Sequence, residues 1–299
     1  MYNTPLRYPG GKSMMTSFFE ELIMFNHMDH VIYAEAYAGG SGAAINLLLK
    51  NKVDTIYIND ASIAIYSFWH YLMKESDRFI NKIEDTSVTL EEWQQQRQIF
   101  KSALVPSFDL GFATFFLSRT NRSGILNAGP IGGQNVEIQK SASYKIDCRF
   151  NKPTLIEKIN KILEKKNSIF VSNLDALDFL HNMGGVNTLV YLDPPYYKQG
   201  EALYLNYYKH KDHEELCNFL RLPRDFKWIL SYDNVPEIRE LYVDFNIYQF
   251  ELNYSAQKSK KGSEMLTHSE NLILPEKPGI KRSRDHLIIN PHEEIALEF

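Results

Sequence analysis

Residues Val31 to Tyr37 form a short apolar run that Gly39-Gly40-Ser41-Gly42 cuts off, and Ala43 to Lys50 resume with helical spacing. This strand, turn and helix are followed by a second short run, Thr55 to Ile58, which ends at Asn59-Asp60 and leads into another helical pattern. Two strands joined through a helix are parallel neighbours rather than a hairpin, so the chain opens on a β-α-β-α unit and a parallel sheet. Such a sheet carries helices on both faces and needs a large core. The chain has 299 residues, 44% of them hydrophobic, which suits one large α/β domain or a domain with a sizeable insertion.

From about Ser67 the pattern turns helical and polar, with Leu90 to Phe100 the clearest helix, and strand-helix alternation returns only at Ser168. Further strands are expected at Ser168 to Ser172, Thr188 to Leu192 and Trp228 to Ser231. The expected organisation is one α/β domain, residues 1–66 and 166–274, split by a mostly helical module over 67–165. After Pro275 the composition shifts to proline, glycine and charge, marking 275–299 as a short appendage.

No apolar run is long enough to span a bilayer, and Met1 to Lys12 lacks the apolar stretch of a secretory signal, so a soluble cytoplasmic protein is expected. Cys148 and Cys217 are too few for a disulfide framework and have no partners at zinc-ligand spacing, so they read as packing residues and no metal is expected. A net charge of -4 argues against a broadly basic surface. Contact with nucleic acid would rest on local clusters at Arg119 and Arg122, within 140–152, at Lys209 and Lys211, and at Lys258, Lys260 and Lys261.

Thr188 to Leu192 deliver Asp193 to the carboxyl end of a buried strand, where open α/β sheets place their ligands. Pro194 and Pro195 then fix the backbone and present carbonyls without nearby N–H donors. That pairing suits an exocyclic amino group, whose lone pair is delocalised into its ring and which is therefore a poor nucleophile. If the Asp193 carboxylate accepts one N–H and the Pro194 carbonyl the other, the nitrogen becomes more tetrahedral and can face an electrophilic methyl. Tyr196 offers a stacking face for a base turned out of a duplex. The plainer reading is that two prolines turn the chain and Asp193 caps the turn. The loop alone does not separate the two.

Glu35-Ala36-Tyr37-Ala38-Gly39-Gly40 would bring backbone close to a ligand where the first strand feeds its helix. Asp60, at the end of the next strand, stands at the separation typical of an acid that binds ribose hydroxyls, although it also suits a helix cap. Asp175 could contact the base of the same nucleoside, while a cap at Ser172 or Asn173 accounts for that segment nearly as well. Gly10-Gly11-Lys12-Ser13 looks like the end of a phosphate-binding loop, but Leu6 stands where that motif requires glycine and no strand leads in. The segment reads instead as a turn that delivers Tyr8 and Lys12 to a pocket.

Pro5 to Lys12, the Gly39 turn, Asn59-Asp60, a helical insertion and Asp193-Pro194-Pro195-Tyr196 occur in the order seen in the Dam-like (D12) class of adenine-N6 DNA methyltransferases, which the chain resembles from Thr4 to Leu274. The resemblance implies a Rossmann-like sheet that uses S-adenosyl-L-methionine, with the inserted helices as a target-recognition domain acting on double-stranded DNA. Carried over by position, Tyr8, Lys12, Asp60 and Asp193 line the methyl-donor site, beside Glu35, Tyr37, Gly39, Gly40 and Asp175. Phe115 to Gly124 resembles the family's Asn-Arg segment at a DNA-reading hairpin, implying DNA contacts at Arg119, Asn121, Arg122 and Asn127. Tyr254 to Glu264 resembles its late basic loop, with Lys258, Lys260 and Lys261 facing phosphates. A bacterial or phage setting is implied, beside a cognate restriction endonuclease or as a solitary methylase.

The departures are Ala36 where many members have proline, Ser41 where glycine is common, and Ser62 where an asparagine often follows the Asn-Asp pair. The stretch Gly124 to Gly133 also differs from the GATC-specific members. Asp212 with Glu215 reads as a helix capping box. The rival readings are the same fold acting on cytosine N4, an RNA base or a protein amide, a DNA-binding relative without turnover, and phosphoryl transfer at Lys12.

Overall fold

The computed structural model describes residues 4–197, 208–254, 260–275 and 289–290, with backbone alone for 250–254, 260–263 and 289–290. Its sheet runs β3-β2-β1-β4-β5-β7-β6-β8, built from β1 (Ile32–Glu35), β2 (Thr55–Asn59), β3 (Ile169–Ser172), β4 (Thr188–Leu192), β5 (Lys227–Asp233), β6 (Tyr248–Tyr254), β7 (Lys260–His268) and β8 (Ile289–Asn290). The five strands from β3 to β5 are parallel, as expected. From β1 the chain first winds outward through β2 and β3, then returns to place β4 on the other side of β1. The order reverses between β1 and β4, and open α/β sheets bind ligands at the carboxyl ends of the strands flanking such a reversal.

Alternation along β4 shows why its sequence is wholly apolar. Leu189 and Tyr191 point into one buried cluster, while Val190 and Leu192 point into a second on the opposite face. The first face is covered by α1 (Thr16–Phe25), α2 (Gly42–Leu49) and α3 (Ile63–Lys74), the second by α9 (Ala176–His181), α10 (His210–Arg221) and α11 (Pro236–Leu241).

Between β2 and β3 lie α3, α4 (Ser76–Asp85), α5 (Leu90–Ser102), α6 (Phe108–Thr120), α7 (Val136–Ser141) and α8 (Lys152–Leu163). The boundary expected at residue 67 falls inside α3, whose Phe68 and Trp69 are fully buried. From there Phe79, Phe112, Phe115, Phe116 and Phe150 continue the same apolar cluster that covers the first face of the sheet. The helices therefore share a core with the sheet.

The antiparallel pair β6 and β7 was not expected. Lys260 and Lys261, read as part of a loop, begin β7 and pair with Tyr254 and Asn253 of β6. Lys258 and the appendage beyond Pro275, apart from β8, lie outside the described residues. The start of α10 also differs from expectation. The helix begins at His210, and Asp212 accepts the Lys209 N–H at 2.7 Å from its third position, where Asp212 had been read as the cap itself. Among the described residues no helix is long and apolar enough to cross a membrane, and no group of three or more His, Cys, Asp or Glu could hold a metal ion.

Candidate active site

The turn after β1 is tied down from three directions. Gly39 has φ +47°, its N–H donates to Asp60 Oδ2 at 2.8 Å, and its carbonyl accepts Trp69 Nε1–H of α3 at 3.0 Å. A Cβ at Gly39 would stand 2.8 Å from the Tyr8 ring, so the N-terminal segment packs directly on the turn and only glycine fits. Ser41 occupies the left-handed region at φ +44°, a conformation that costs a non-glycine residue roughly 1–2 kcal/mol. Its hydroxyl donates to Glu35 Oε2 at 2.9 Å, which holds it there.

Glu35 also accepts the Ala44 N–H at 3.1 Å and the Tyr33 hydroxyl at 3.3 Å, so its carboxylate organises the turn. Burial raises its pKa to about 7 against these three hydrogen bonds. A folded-state value above the unfolded one adds stability below the unfolded pKa, and that stability is lost as pH rises through about 7. Glu35→Gln is therefore expected to gain on the wild type by roughly 2 kcal/mol between about pH 5 and about pH 8, as read by urea denaturation. A constant difference across that range would show that folding does not shift the Glu35 pKa.

Asn59 joins three strand ends. Its amide donates to the Ala36 and Leu174 carbonyls at 3.1 Å each, and its oxygen accepts Ser172 Oγ–H at 2.8 Å and the Leu174 N–H at 3.0 Å. Asp60 follows, with Gly39 N–H on one oxygen and Ser62 N–H at 2.9 Å on the other. Burial lifts its pKa to about 6, opposed by these two backbone donors. Asp175 caps α9 by accepting Leu177 N–H at 2.8 Å, the role considered for Ser172 or Asn173. Ser172 and Asn173 instead stitch β3 to Asn59 and Asp60.

A cleft of ≈ 920 Å³, open to solvent, runs between the Gly39 turn and the Asp193 loop and is lined by Tyr8, Lys12, Glu35, Tyr37, Gly39, Gly40, Asp60, Asp175, Asp193, Pro195 and Tyr208. Its place, at the carboxyl ends of the strands flanking the reversal, is where open α/β sheets hold small molecules. The structure thus gathers the expected donor-site residues around one cavity at the sheet's reversal point. Tyr208, whose hydroxyl lies 2.8 Å from that of Tyr37, was not foreseen.

At the other end of the cleft Lys12 is buried and its ammonium lies 2.8 Å from both oxygens of Asp193, 3.3 Å from the Tyr196 hydroxyl and 3.8 Å from Glu264 Oε2. Burial opposes its charge, but Asp193 and Glu264 outweigh burial and the pKa stands well above the usual lysine value. Lys12 thus meets the Asp193 loop, through Asp193 and Tyr196. Ser231, within the adjacent strand β5, donates to Asp193 Oδ1 at 3.0 Å, and Tyr191 holds the Ser231 hydroxyl at 2.7 Å. The Tyr196 hydroxyl donates to Glu264 Oε1 on β7. Tyr197 N–H donates to Asp233 Oδ1 at 3.0 Å. Ser231, Asp233 and Glu264 carried no sequence signal of their own, because strand pairing alone brings them to Asp193 and its loop.

Residues Thr120 to Ile131 form a small hairpin, with Ile131 N–H on the Thr120 carbonyl at 2.8 Å and Arg122 N–H on the Gly129 carbonyl at 3.0 Å. Asn121 lies inside it. Its amide donates to the Ile125 and Leu126 carbonyls at 2.9 and 2.8 Å, and its oxygen accepts Trp93 Nε1–H at 2.7 Å. The Asn121 side chain, for which a DNA contact was expected, is thus held in a buried staple. Arg122 and Asn127 are exposed on the outside of the hairpin. Arg119 donates Nε–H to the Arg149 carbonyl at 2.9 Å, and burial, with Arg7 and Arg149 nearby, lowers its pKa to about 10, still a cation at neutral pH.

A parallel sheet with antiparallel β7 between β5 and β6, and an open cleft at its reversal point, fits the methyltransferase class of α/β enzymes. The family model for D12 class N6 adenine-specific DNA methyltransferases matches residues 8–256, and the chain belongs to that family. Its activity is methylation of adenine in DNA, and the family implies S-adenosylmethionine as donor. No curated protein matches the sequence. Among solved structures, a conserved hypothetical protein of Streptococcus pyogenes is similar at 10% identity and a TM-score of 0.33, over 86% of this chain and 97% of its own. A Legionella pneumophila protein is similar at 11% identity and a TM-score of 0.30, over 89% of this chain and 87% of its own.

Proposed function

We propose that the chain methylates N6 of an adenine turned out of duplex DNA at a specific sequence, with S-adenosylmethionine seated between the Gly39 turn and the Asp193 loop. The observation that carries this reading is the lone-pair count at Asp193. A carboxylate offers about four acceptor positions. Lys12 takes two and Ser231 one, which leaves one on Oδ2 among the described residues. That position accepts one N6–H, and the Pro194 carbonyl accepts the other. Lys12 and Ser231 hold the carboxylate in one orientation, so the acceptor is in place before the base arrives. Tyr196 supplies the stacking face.

The cleft suits the donor. Asp60 has one backbone donor on each oxygen, which leaves a position on each for the ribose hydroxyls, and Asp175 sits at the base end. When bound, S-adenosylmethionine supplies an electrophilic methyl on sulfonium. The chain's part is to hold it, to orient the amino group and to exclude water. The helices between β2 and β3 act as the target-recognition region, with Arg122 and Asn127 reaching DNA from the hairpin and Arg119, Lys258, Lys260 and Lys261 meeting phosphates.

Asp60→Asn tests the donor site without touching the acceptor. The amide sets an NH2 group against one of the two backbone N–H donors and removes the charge. Its affinity for S-adenosylmethionine is expected to fall roughly 10- to 100-fold by titration calorimetry, the worth of a hydrogen bond to a charged group. Wild-type affinity should also weaken as pH drops through about 6 and Asp60 takes up a proton, a dependence the variant lacks. Unchanged affinity in Asp60→Asn would place the donor elsewhere.

A further inference from the structure

Glu264 is deeply buried, lies on a strand that the sequence did not reveal, and has no role in the chemistry above. It accepts the Tyr196 hydroxyl and lies 3.8 Å from Lys12. Its cross-strand partner in the β5–β7 pairing is Asp233, which accepts the N–H of the next residue, Tyr197, at 3.0 Å. One antiparallel rung therefore presents two carboxylates to two consecutive residues of the loop. Neither bond is needed to hold the sheet together, because β5 and β7 pair through their backbones from Ile229 to Asp233.

We propose that Glu264, with Asp233 beside it, is a positioning residue that fixes the catalytic loop: Glu264 holds the Tyr196 phenol so that its ring stands ready for the target adenine, and Asp233 anchors the backbone immediately after it. The proposal rests on the reading of Tyr196 as the stacking face. It follows from the chain's own order of events. Asp193, Pro194, Pro195 and Tyr196 are four consecutive residues. The first is fixed by Lys12 and Ser231, and the prolines fix the backbone between. A tyrosine side chain keeps two rotatable bonds of its own, and a contact at its far end restrains both. Glu264 supplies that contact. Lys12, which touches Asp193 and Tyr196 and lies near Glu264, couples the clasp to the acceptor.

The groups facing Glu264 are Lys12 from the N-terminal segment, Asp193 and Tyr196 from the loop, and Asp233 from β5. Burial, the largest influence, raises its pKa to about 7, with Lys12 opposing and Asp193 reinforcing. Glutamine at this position keeps the shape and an acceptor oxygen for the phenol, whereas alanine removes the contact.

The test is the single-turnover rate of methyl transfer from labelled S-adenosylmethionine to unmethylated genomic DNA, in the full chain and its variants. Glu264→Ala and Tyr196→Phe are each expected to lower the rate on the order of 10-fold, the worth of one charge-assisted hydrogen bond. The KM values for donor and DNA should stay unchanged. The double variant should be little slower than Glu264→Ala alone, because the contact both changes remove is the Tyr196–Glu264 bond. Glu264→Gln should recover most of the rate, and it also serves if alanine impairs folding. A wild-type rate in Glu264→Ala, losses that multiply in the double variant, or no recovery with glutamine overturns the clasp. Tyr196→Ala separates the two levels. A wild-type rate there refutes the stacking role and the clasp with it, while a large loss there beside an unaffected Tyr196→Phe refutes the clasp alone.

Discussion

Lys12→Met lowers stability by about 3–5 kcal/mol at neutral pH in urea denaturation, the expected cost of removing one partner from a buried charge cluster. The size follows from what remains. Asp193 and Glu264 both face the Lys12 ammonium, and without it two carboxylates face each other around a buried position, Glu264 itself being almost wholly buried. Methionine fills the same volume, so the loss reports charge rather than a cavity. The penalty should shrink towards about pH 5, because Glu264, already raised to about 7, takes up a proton there and relieves the repulsion. A loss that is the same at both pH values would mean that packing, and not charge, is what Lys12 contributes. Methyl transfer should fail as well, since Asp193 loses the group that orients it.

Asp193→Asn has the largest expected effect on catalysis. The side chain keeps its shape, but one oxygen becomes an NH2 group, which points a donor at Lys12 or at the incoming amino group. Single-turnover methyl transfer should fall by about 10²–10³-fold or more, the scale seen when one preorganised polar group is removed from an active site. Binding of S-adenosylmethionine should survive, because Asp60 and the Gly39 turn hold the other end of the cleft. Loss of donor binding together with activity would instead assign Asp193 to the donor.

The parallel half of the sheet was legible because each strand there is a short apolar run closed by a polar turn, as at Val31 to Tyr37 and Thr188 to Leu192. Burial on both faces makes such runs continuous, and the glycine turn marks the entry to the following helix. The pair β6 and β7 was not legible. The first four residues of β7, Lys260-Lys261-Gly262-Ser263, hide the apolar Met265 and Leu266 that follow. Missing that strand meant missing Glu264.

The site divides in the same way. Asp193, Lys12 and Asp60, which line one cleft, were legible as candidates because each sits in a short recognisable segment. Ser231 and Asp233 were not, since a serine or aspartate in an ordinary strand acquires meaning only when β5 lies beside β4. The internal bonds of Asn121 were not legible for a related reason. Its type suits a base edge as well as a buried staple, and only the positions of Trp93, Ile125 and Leu126 separate the two. Ser41, which stood out as a departure from glycine, proves to hold its left-handed conformation through Glu35.

The most direct measurement is identification of the base that receives the methyl group. Unmethylated genomic DNA is incubated with the chain and methyl-labelled S-adenosylmethionine, digested to nucleosides and resolved by mass spectrometry. The expected result is label in N6-methyldeoxyadenosine alone, reduced at least a hundredfold with Asp193→Asn, on the order of the loss from removing one preorganised group. Label in N4-methyldeoxycytidine, or undiminished label with Asp193→Asn, would contradict the assignment of Asp193 and its loop to adenine N6.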